Sequence, residues 1–221
     1  TITLRSDRSI EVIDDGRGVP FDYDEGEKKN GVVKALGTFM SGGKFENNTG
    51  SAGLNGIGTT ATNAISDRFD VTVWRGGKQY VQCFHHGRPG HFAGDGFDAK
   101  ADFNRVDGER LKPGTPRSGA PAHGTSVRLV LDRTVAADAQ FDINNVLFRA
   151  HCSARLIGGM TLVVINDGWS EEVNPVLVGT ATGDYGPAAL LEFISNYHGL
   201  PARNNVIAVE GDALFTNVRG E

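Results

Sequence analysis

"SAGLNGIGTTATNAIS", residues 51–66, sets Gly53, Gly56 and Gly58 directly ahead of a segment with helix-forming pattern. A helix start leaves its first backbone amides unpaired at the positive end of the peptide dipole, and both features attract anions. Glycines in the approach let those amides curl around phosphate oxygens. Taken alone, Gly53-Leu54-Asn55-Gly56-Ile57-Gly58-Thr59 reads equally well as a flexible loop making a small-residue helix contact. It is neither a Walker loop, since Gly-Lys-Ser/Thr is missing, nor a dinucleotide fingerprint, since it follows a polar loop (44–58) rather than a strand.

The flanks on either side predict the frame. Before it, residues 1–15 alternate at Ile2 and Leu4 and again at Ile10 and Val12, around a polar Ser6-Asp7-Arg8 break. That pattern predicts two strands joined by a turn. "GVVKALGTFMSGG" (31–43) has helical spacing at Val32, Leu36, Phe39 and Met40 with a glycine stop. After it, "FDVTVWRGGKQYVQCFHH" (69–86) reads as a β-hairpin turned at residues 75–78. Residues 87–124 scatter Gly, Asp and Pro, which predicts loop with one short strand at 90–92. "GTSVRLVLD" (124–132) and "MTLVVIND" (160–167) are strands, and "NNVIAVEG" (204–211) starts another. Between them, 141–157 is an amphipathic helix with Ile143, Val146, Leu147 and Ala150 on one face, and 186–199 is a helix starting near Pro187. Strands and helices mix without strict alternation and without repeats. The expected class is α+β, a two-layer sandwich of a mixed sheet with helices on one face.

Composition narrows the function. At 221 residues the chain can bury a good-sized core, and a hydrophobic content of 39% with 22% charged residues is that of a soluble domain. No apolar run is long enough to span a bilayer, so no membrane partner is expected. The net charge of −5 argues against this segment being the main grip on duplex DNA. Cys83 and Cys152 are far apart and are expected to be buried free thiols in a reducing, cytoplasmic setting.

Three further stretches can carry chemistry. In Asp14-Asp15-Gly16-Arg17-Gly18, a carboxylate at a sheet mouth can accept a hydrogen bond from an exocyclic amine such as that of adenine, and glycines admit a flat ring to the backbone. An ordinary Asp-Gly turn has the same sequence. In Gly124-Thr125, the hydroxyl can complete the bonding of a ring edge, or the pair simply opens a strand. In Ser41-Gly42-Gly43-Lys44-Phe45, a lysine on a glycine-flanked loop can fold over a phosphate, though most exposed lysines do not.

In this order and spacing, "IEVIDDGRGVP", "SGGKFENN", "AGLNGIGTTATNAIS", the hairpin and "GTSVRLVLD" together resemble the ATP site of the GHKL superfamily. The closer resemblance is to the B-type ATPase subunit of bacterial type IIA topoisomerases, that of gyrase (gyrase B) or of topoisomerase IV. It covers most of the chain. It implies the GHKL (Bergerat) fold over residues 1–200, without its first helix, and the start of a transducer domain over 201–221. By resemblance, Asp14 meets the adenine amine, Gly18, Pro20 and Thr125 shape the ring pocket, and Arg17 flanks its mouth. Gly53, Leu54, Asn55, Gly56, Ile57, Gly58 and Thr59 cradle the phosphates, and Lys44 belongs to a lid. ATP with Mg²⁺ is the implied cofactor. The implied partners are a second copy of the B-type chain in a homodimer, an A-type subunit, DNA through the holoenzyme, and aminocoumarin inhibitors.

The chain also departs from that pattern. The family's catalytic Glu and magnesium-holding Asn lie on a helix ahead of the first strand, so both are expected upstream of Thr1, and the chain itself is expected to hydrolyse ATP very poorly. Glu192-x-x-x-Asn196 has the right spacing but sits too far downstream to be that pair. Asn55 stands where gyrase B commonly has His. Val81 stands where many members carry an Arg that supports aminocoumarin binding, which predicts weaker coumarin affinity. His85, His86 and His91 show no metal-ligand spacing and are expected at strand ends or the surface. His123 is expected in a loop, and His151 beside Cys152 on a helix is not expected to share a metal with it. The rival readings are another GHKL ATPase such as a MutL-like protein, or a nucleotide-binding module that never hydrolyses.

Overall fold

The computed structural model describes residues 1–38, 57–99, 113–137, 141–156, 161–169, 179–181 and 186–198. Nine strands form one mixed sheet: β1 (Ile2–Arg5), β2 (Ile10–Asp14), β5 (Ser66–Arg75), β6 (Lys78–His85), β7 (Arg88–Ala93), β8 (Gly96–Asp98), β9 (Gly124–Leu131), β10 (Leu162–Asp167) and β11 (Gly179–Ala181). Their order is β11-β10-β1-β2-β9-β5-β6-β7-β8. A separate two-stranded ribbon pairs β3 (Tyr23–Asp24) with β4 (Lys29–Asn30). The helices are α1 (Gly31–Gly37), α2 (Gly58–Ala64), α3 (Ile143–Leu156) and α4 (Pro187–Tyr197).

Alternation along the strands decides which face is covered. Ile10 pairs Leu129, Leu129 pairs Phe69, and Phe69 pairs Phe84, so these four share one face. On that face α1 packs Val32 and Val33 against Phe69, Val71, Val73 and Phe84. Farther along, α3 packs Ile143, Ala150 and Ala154 against Leu4, Ile10 and Val164. Leu129 touches both clusters, so one layer of helices covers one face of the sheet. The other face carries polar and charged residues at Thr3, Glu11, Ser126, Arg128 and Asp70, which is why its strands read as half-apolar.

The predicted strands at 1–15, the hairpin at 66–85, β9, β10 and the four helices are all present. Gly76 (φ 60) and Gly77 (φ 69) supply the two left-handed residues that a tight hairpin turn of this hand demands. Residues 88–98 differ from expectation, since two antiparallel strands, β7 and β8, replace one short strand. Gly90 permits this, because a Cβ there would lie 2.5 Å from the Phe97 ring of β8. Cys83 is buried, but Cys152 is only half-buried, since its position on α3 lies at the margin of the core. The readings at 39–56 and 199–221 fall outside the described residues.

Candidate nucleotide site

Asp14 ends β2 and pairs Thr125 at the start of β9; Thr125 pairs Val73 of β5, and Val73 pairs Tyr80 of β6. This row crosses four strands on the helix-covered face. Asp14 Oδ1 accepts the Gly16 amide at 2.8 Å, a local turn that fixes the carboxylate and leaves Oδ2 outside the turn. Thr125 is 4% exposed, and its Oγ1 accepts the Val19 amide at 3.1 Å, so the hydroxyl proton remains available to donate. The turn is braced again where His123 Nδ1 lies 2.8 Å from the Gly16 carbonyl oxygen.

Two glycines are imposed by how closely the backbones approach. At Gly124 (φ 138) a Cβ would lie 2.1 Å from the Asp14 carbonyl oxygen. At Gly18 (φ 80) it would lie 3.0 Å from Val73 and 3.2 Å from the Gly124 carbonyl. The chain then runs past Pro20, whose carbonyl oxygen sits 2.5 Å from where a Cβ of Gly31 would be, against the start of α1. Phe21 stacks on Tyr80 with ring centroids 3.8 Å apart, closing the far end of the row. Arg17 and Pro20 are exposed, as residues at a pocket mouth are.

The phosphate half rests on α2. Ile57 is its N-cap, and no side chain among the described residues caps it; the first helical bond runs from the Ala61 amide to the Ile57 carbonyl at 2.9 Å. The amides of Gly58, Thr59 and Thr60 precede that bond. A Cβ at Gly58 would meet nothing within 4 Å, so neither protein packing nor backbone angle requires glycine there. Approach by a ligand is a remaining reason. The helix is tied to α1 rather than to the Asp14 row: Asn63 Nδ2 donates to the Leu36 carbonyl (3.1 Å) and Thr60 Oγ1 to that of Thr38 (3.4 Å). Lys44, Gly53, Leu54, Asn55 and Gly56 lie outside the described residues.

Among the expected residues, the structure thus brings Asp14, Gly18 and Thr125 together, with Pro20 alongside. His123, Val73 and Gly124 join them unannounced. Only the β2–β9 register could have revealed them, and that register spans more than a hundred residues. Val81 leaves β6 on the opposite side from Tyr80, a geometry that weakens the case for its influence on this pocket. Glu192 and Asn196 both sit on exposed positions of α4.

Across the sheet from this row, Glu11 is buried and accepts from Arg5, from Ser126 Oγ (2.8 Å) and from Arg117 (3.4 Å). Burial pushes its pKa up. The Arg5 and Ser126 hydrogen bonds and the charges of Arg5 and Arg117 outweigh that, and hold it below the usual carboxylate value. One expectation about histidines needs correcting. His85 and His86 are not isolated strand-end residues, because with Asp67 they offer ligating atoms all within 4.8 Å of one another.

A mixed sheet with helices on one face and an acid–glycine turn at the end of a strand defines a GHKL-type nucleotide-binding fold. No protein-family model matches the chain. The chain is 45% identical, over its entire length, to topoisomerase subunit TopoN of Mycolicibacterium smegmatis. Over 73% of its length it is 29% identical to the gyrase B protein of Caulobacter vibrioides. It spans 32% and 19% of those two proteins. The 43K ATPase domain of Thermus thermophilus gyrase B, solved in complex with an aminocoumarin, has the same fold at a TM-score of 0.60 and 22% identity, covering 88% of this chain and 42% of that one. The chain is a homologue of the B-type, ATPase subunits of bacterial type IIA topoisomerases.

Proposed function

We propose that this chain is the ATP-binding part of a type IIA topoisomerase subunit, and that nucleotide binding here is coupled to DNA strand passage in the whole enzyme. The observation that carries the reading is the Asp14–Thr125 pair held beside Gly18 and Gly124. It offers a fixed carboxylate acceptor and a hydroxyl donor on a backbone that no side chain obstructs. Those groups match the amine and ring nitrogen of an adenine edge. At the other end, the uncapped amides at the start of α2, with the glycine approach ahead of them, supply donors for phosphate oxygens. Lys44 would add a positive charge over them, and Arg17 would border the mouth. Mg²⁺ would enter with the nucleotide and neutralise charge on its phosphates.

The same reading assigns residues 1–200 to the nucleotide-binding domain and 201–221 to the start of a transducer. It gives the whole protein a second copy of itself, an A-type subunit and DNA as partners, a cytoplasmic location, and aminocoumarins as competitors for the adenine pocket. Titration calorimetry with a non-hydrolysable ATP analogue tests it. The expected result is one site per chain, with competition by novobiocin. No binding to wild type, or equal binding to Asp14→Asn, would sink it.

A further inference from the structure

We propose that Asp67, His85, His86 and Asp132 form a binding site for a divalent transition-metal ion of the zinc class, at the end of the sheet remote from the Asp14–Thr125 row. The two ends of β9 separate the sites: Thr125 pairs Asp14 near one end and Leu131 closes the other, a separation of about 20 Å at ~3.3 Å per residue.

Two backbone irregularities bring the four residues together. The β5–β9 register shifts between Ser66 and Arg68, so Asp67 is the extra residue of a bulge, a device that re-aims a side chain. His86 adopts φ 49 in the turn between β6 and β7, an uncommon left-handed conformation outside glycine. Adjacent residues of an extended strand point to opposite faces; here the His85 and His86 rings lie on the same side, with centroids 4.0 Å apart. Asp132, just past β9, is anchored by its amide to the Ile65 carbonyl at 3.0 Å, which brings it to the same corner.

The donor separations suit a single ion. His85 Nδ1 is 3.4 Å from Asp67 Oδ1, His86 Nε2 is 3.0 Å from Asp132 Oδ2, and His86 Nε2 is 3.9 Å from Asp67 Oδ1. Neighbouring donors around tetrahedral zinc, with bonds of ~2.0–2.2 Å, are about 3.3–3.6 Å apart. The supporting contacts also fit. Thr134 donates to Asp132 Oδ1 through both its amide and its hydroxyl, at 2.7 Å each, which holds the carboxylate so that Oδ2 faces His86. His85 Nδ1 lies 2.6 Å from the Asp67 carbonyl oxygen; a proton donated there leaves Nε2 with its lone pair. Phe97 and Phe92 wall the His85 ring at 5.1 and 6.2 Å, while the Asp67 carboxylate, 61% exposed, keeps the site open to an entering ion. Two imidazoles and two carboxylates are the mixed nitrogen–oxygen set that selects zinc-class ions over Mg²⁺. A bound ion would clip the start of β5, the β6–β7 turn and the exit of β9 into one corner.

The test is zinc titration of the metal-stripped full chain by calorimetry, with cobalt(II) absorption as a spectroscopic probe. The variants are His85→Gln, Asp132→Asn and His86→Asn, the last keeping a residue that tolerates the left-handed turn. His91→Ala, on the neighbouring strand, is the control. Expected are one zinc per chain, visible cobalt bands of low symmetry, a higher melting temperature with zinc, and affinity lowered at least about tenfold in each cluster variant but not in the control. ATP-analogue binding should be unchanged in the cluster variants, which separates this result from the fate of the nucleotide reading. If wild type binds no zinc, or if the folded His85→Gln/His86→Asn double variant binds it as wild type does, the four residues form histidine–carboxylate ion pairs only and the proposal is overturned.

Discussion

At Asp14, Oδ1 is committed to the Gly16 amide and Oδ2 is not. Asp14→Asn can therefore keep the turn while replacing the second acceptor by an amide donor, which opposes an adenine amine. ATP-analogue affinity should fall about 100-fold, close to 3 kcal/mol. Stability should change by no more than about 0.5 kcal/mol, because the side chain is exposed. Calorimetry and a urea melt read the two effects separately. Gly124 behaves in the opposite way. An alanine Cβ would overlap the Asp14 carbonyl oxygen in a left-handed backbone, so Gly124→Ala should cost on the order of 3 kcal/mol and lose binding with it. A stable Gly124→Ala chain in denaturant titration would show that the β2–β9 contact yields more easily than these distances imply. The acid, the glycines and the threonine were legible from local pattern. His123 and Val73 were not, because their roles come from strand pairing and from no signal in their own neighbourhood.

The helices show the same division at the scale of elements. α1 was readable from Val32 and Leu36, but its anchorage was not. Asn30 Oδ1 caps the Val33 amide at 3.0 Å while its Nδ2 donates to buried Gln82 Oε1 on β6, also at 3.0 Å. One side chain thus ends a ribbon, starts a helix and fastens it to the sheet. Asn30→Ala should cost about 2–4 kcal/mol, combining a lost cap with a buried acceptor left unpaired. Asn30→Ser, which can still cap, should cost less; chemical denaturation of the two variants distinguishes the contributions. The β7–β8 ribbon escaped the sequence because Gly90, Gly94 and Gly96 read as loop. In fact Gly90 is there so that Phe97 can cross it. The Asp67–His85–His86–Asp132 corner was equally hidden, since a bulge and a left-handed histidine leave no periodic trace.

For the whole molecule, the polar face of the sheet gathers around Glu11. Its pKa is held below the ordinary value near 4.5, so its contribution to stability is fully present above that pH and fades as the pH falls through the folded-state value. Urea midpoints measured from pH 6 down to pH 3 should fall more steeply for wild type than for Glu11→Gln. Glu11→Gln itself should be about 2 kcal/mol less stable at neutral pH, because Arg5 keeps only Asp167 as a carboxylate partner. Parallel slopes would remove Glu11 from the acid response. The mixed sheet with one helical layer was legible from element types alone, but its strand order was not, because the pattern of a strand does not name its neighbours. That order has a temporal consequence. β1 sits inside the sheet and pairs Ile2 with Val164, so the first strand to leave a ribosome waits for a partner some 160 residues later in synthesis. Until then one flank of the nascent sheet stays open, and completion of the fold falls after most of this segment has been translated.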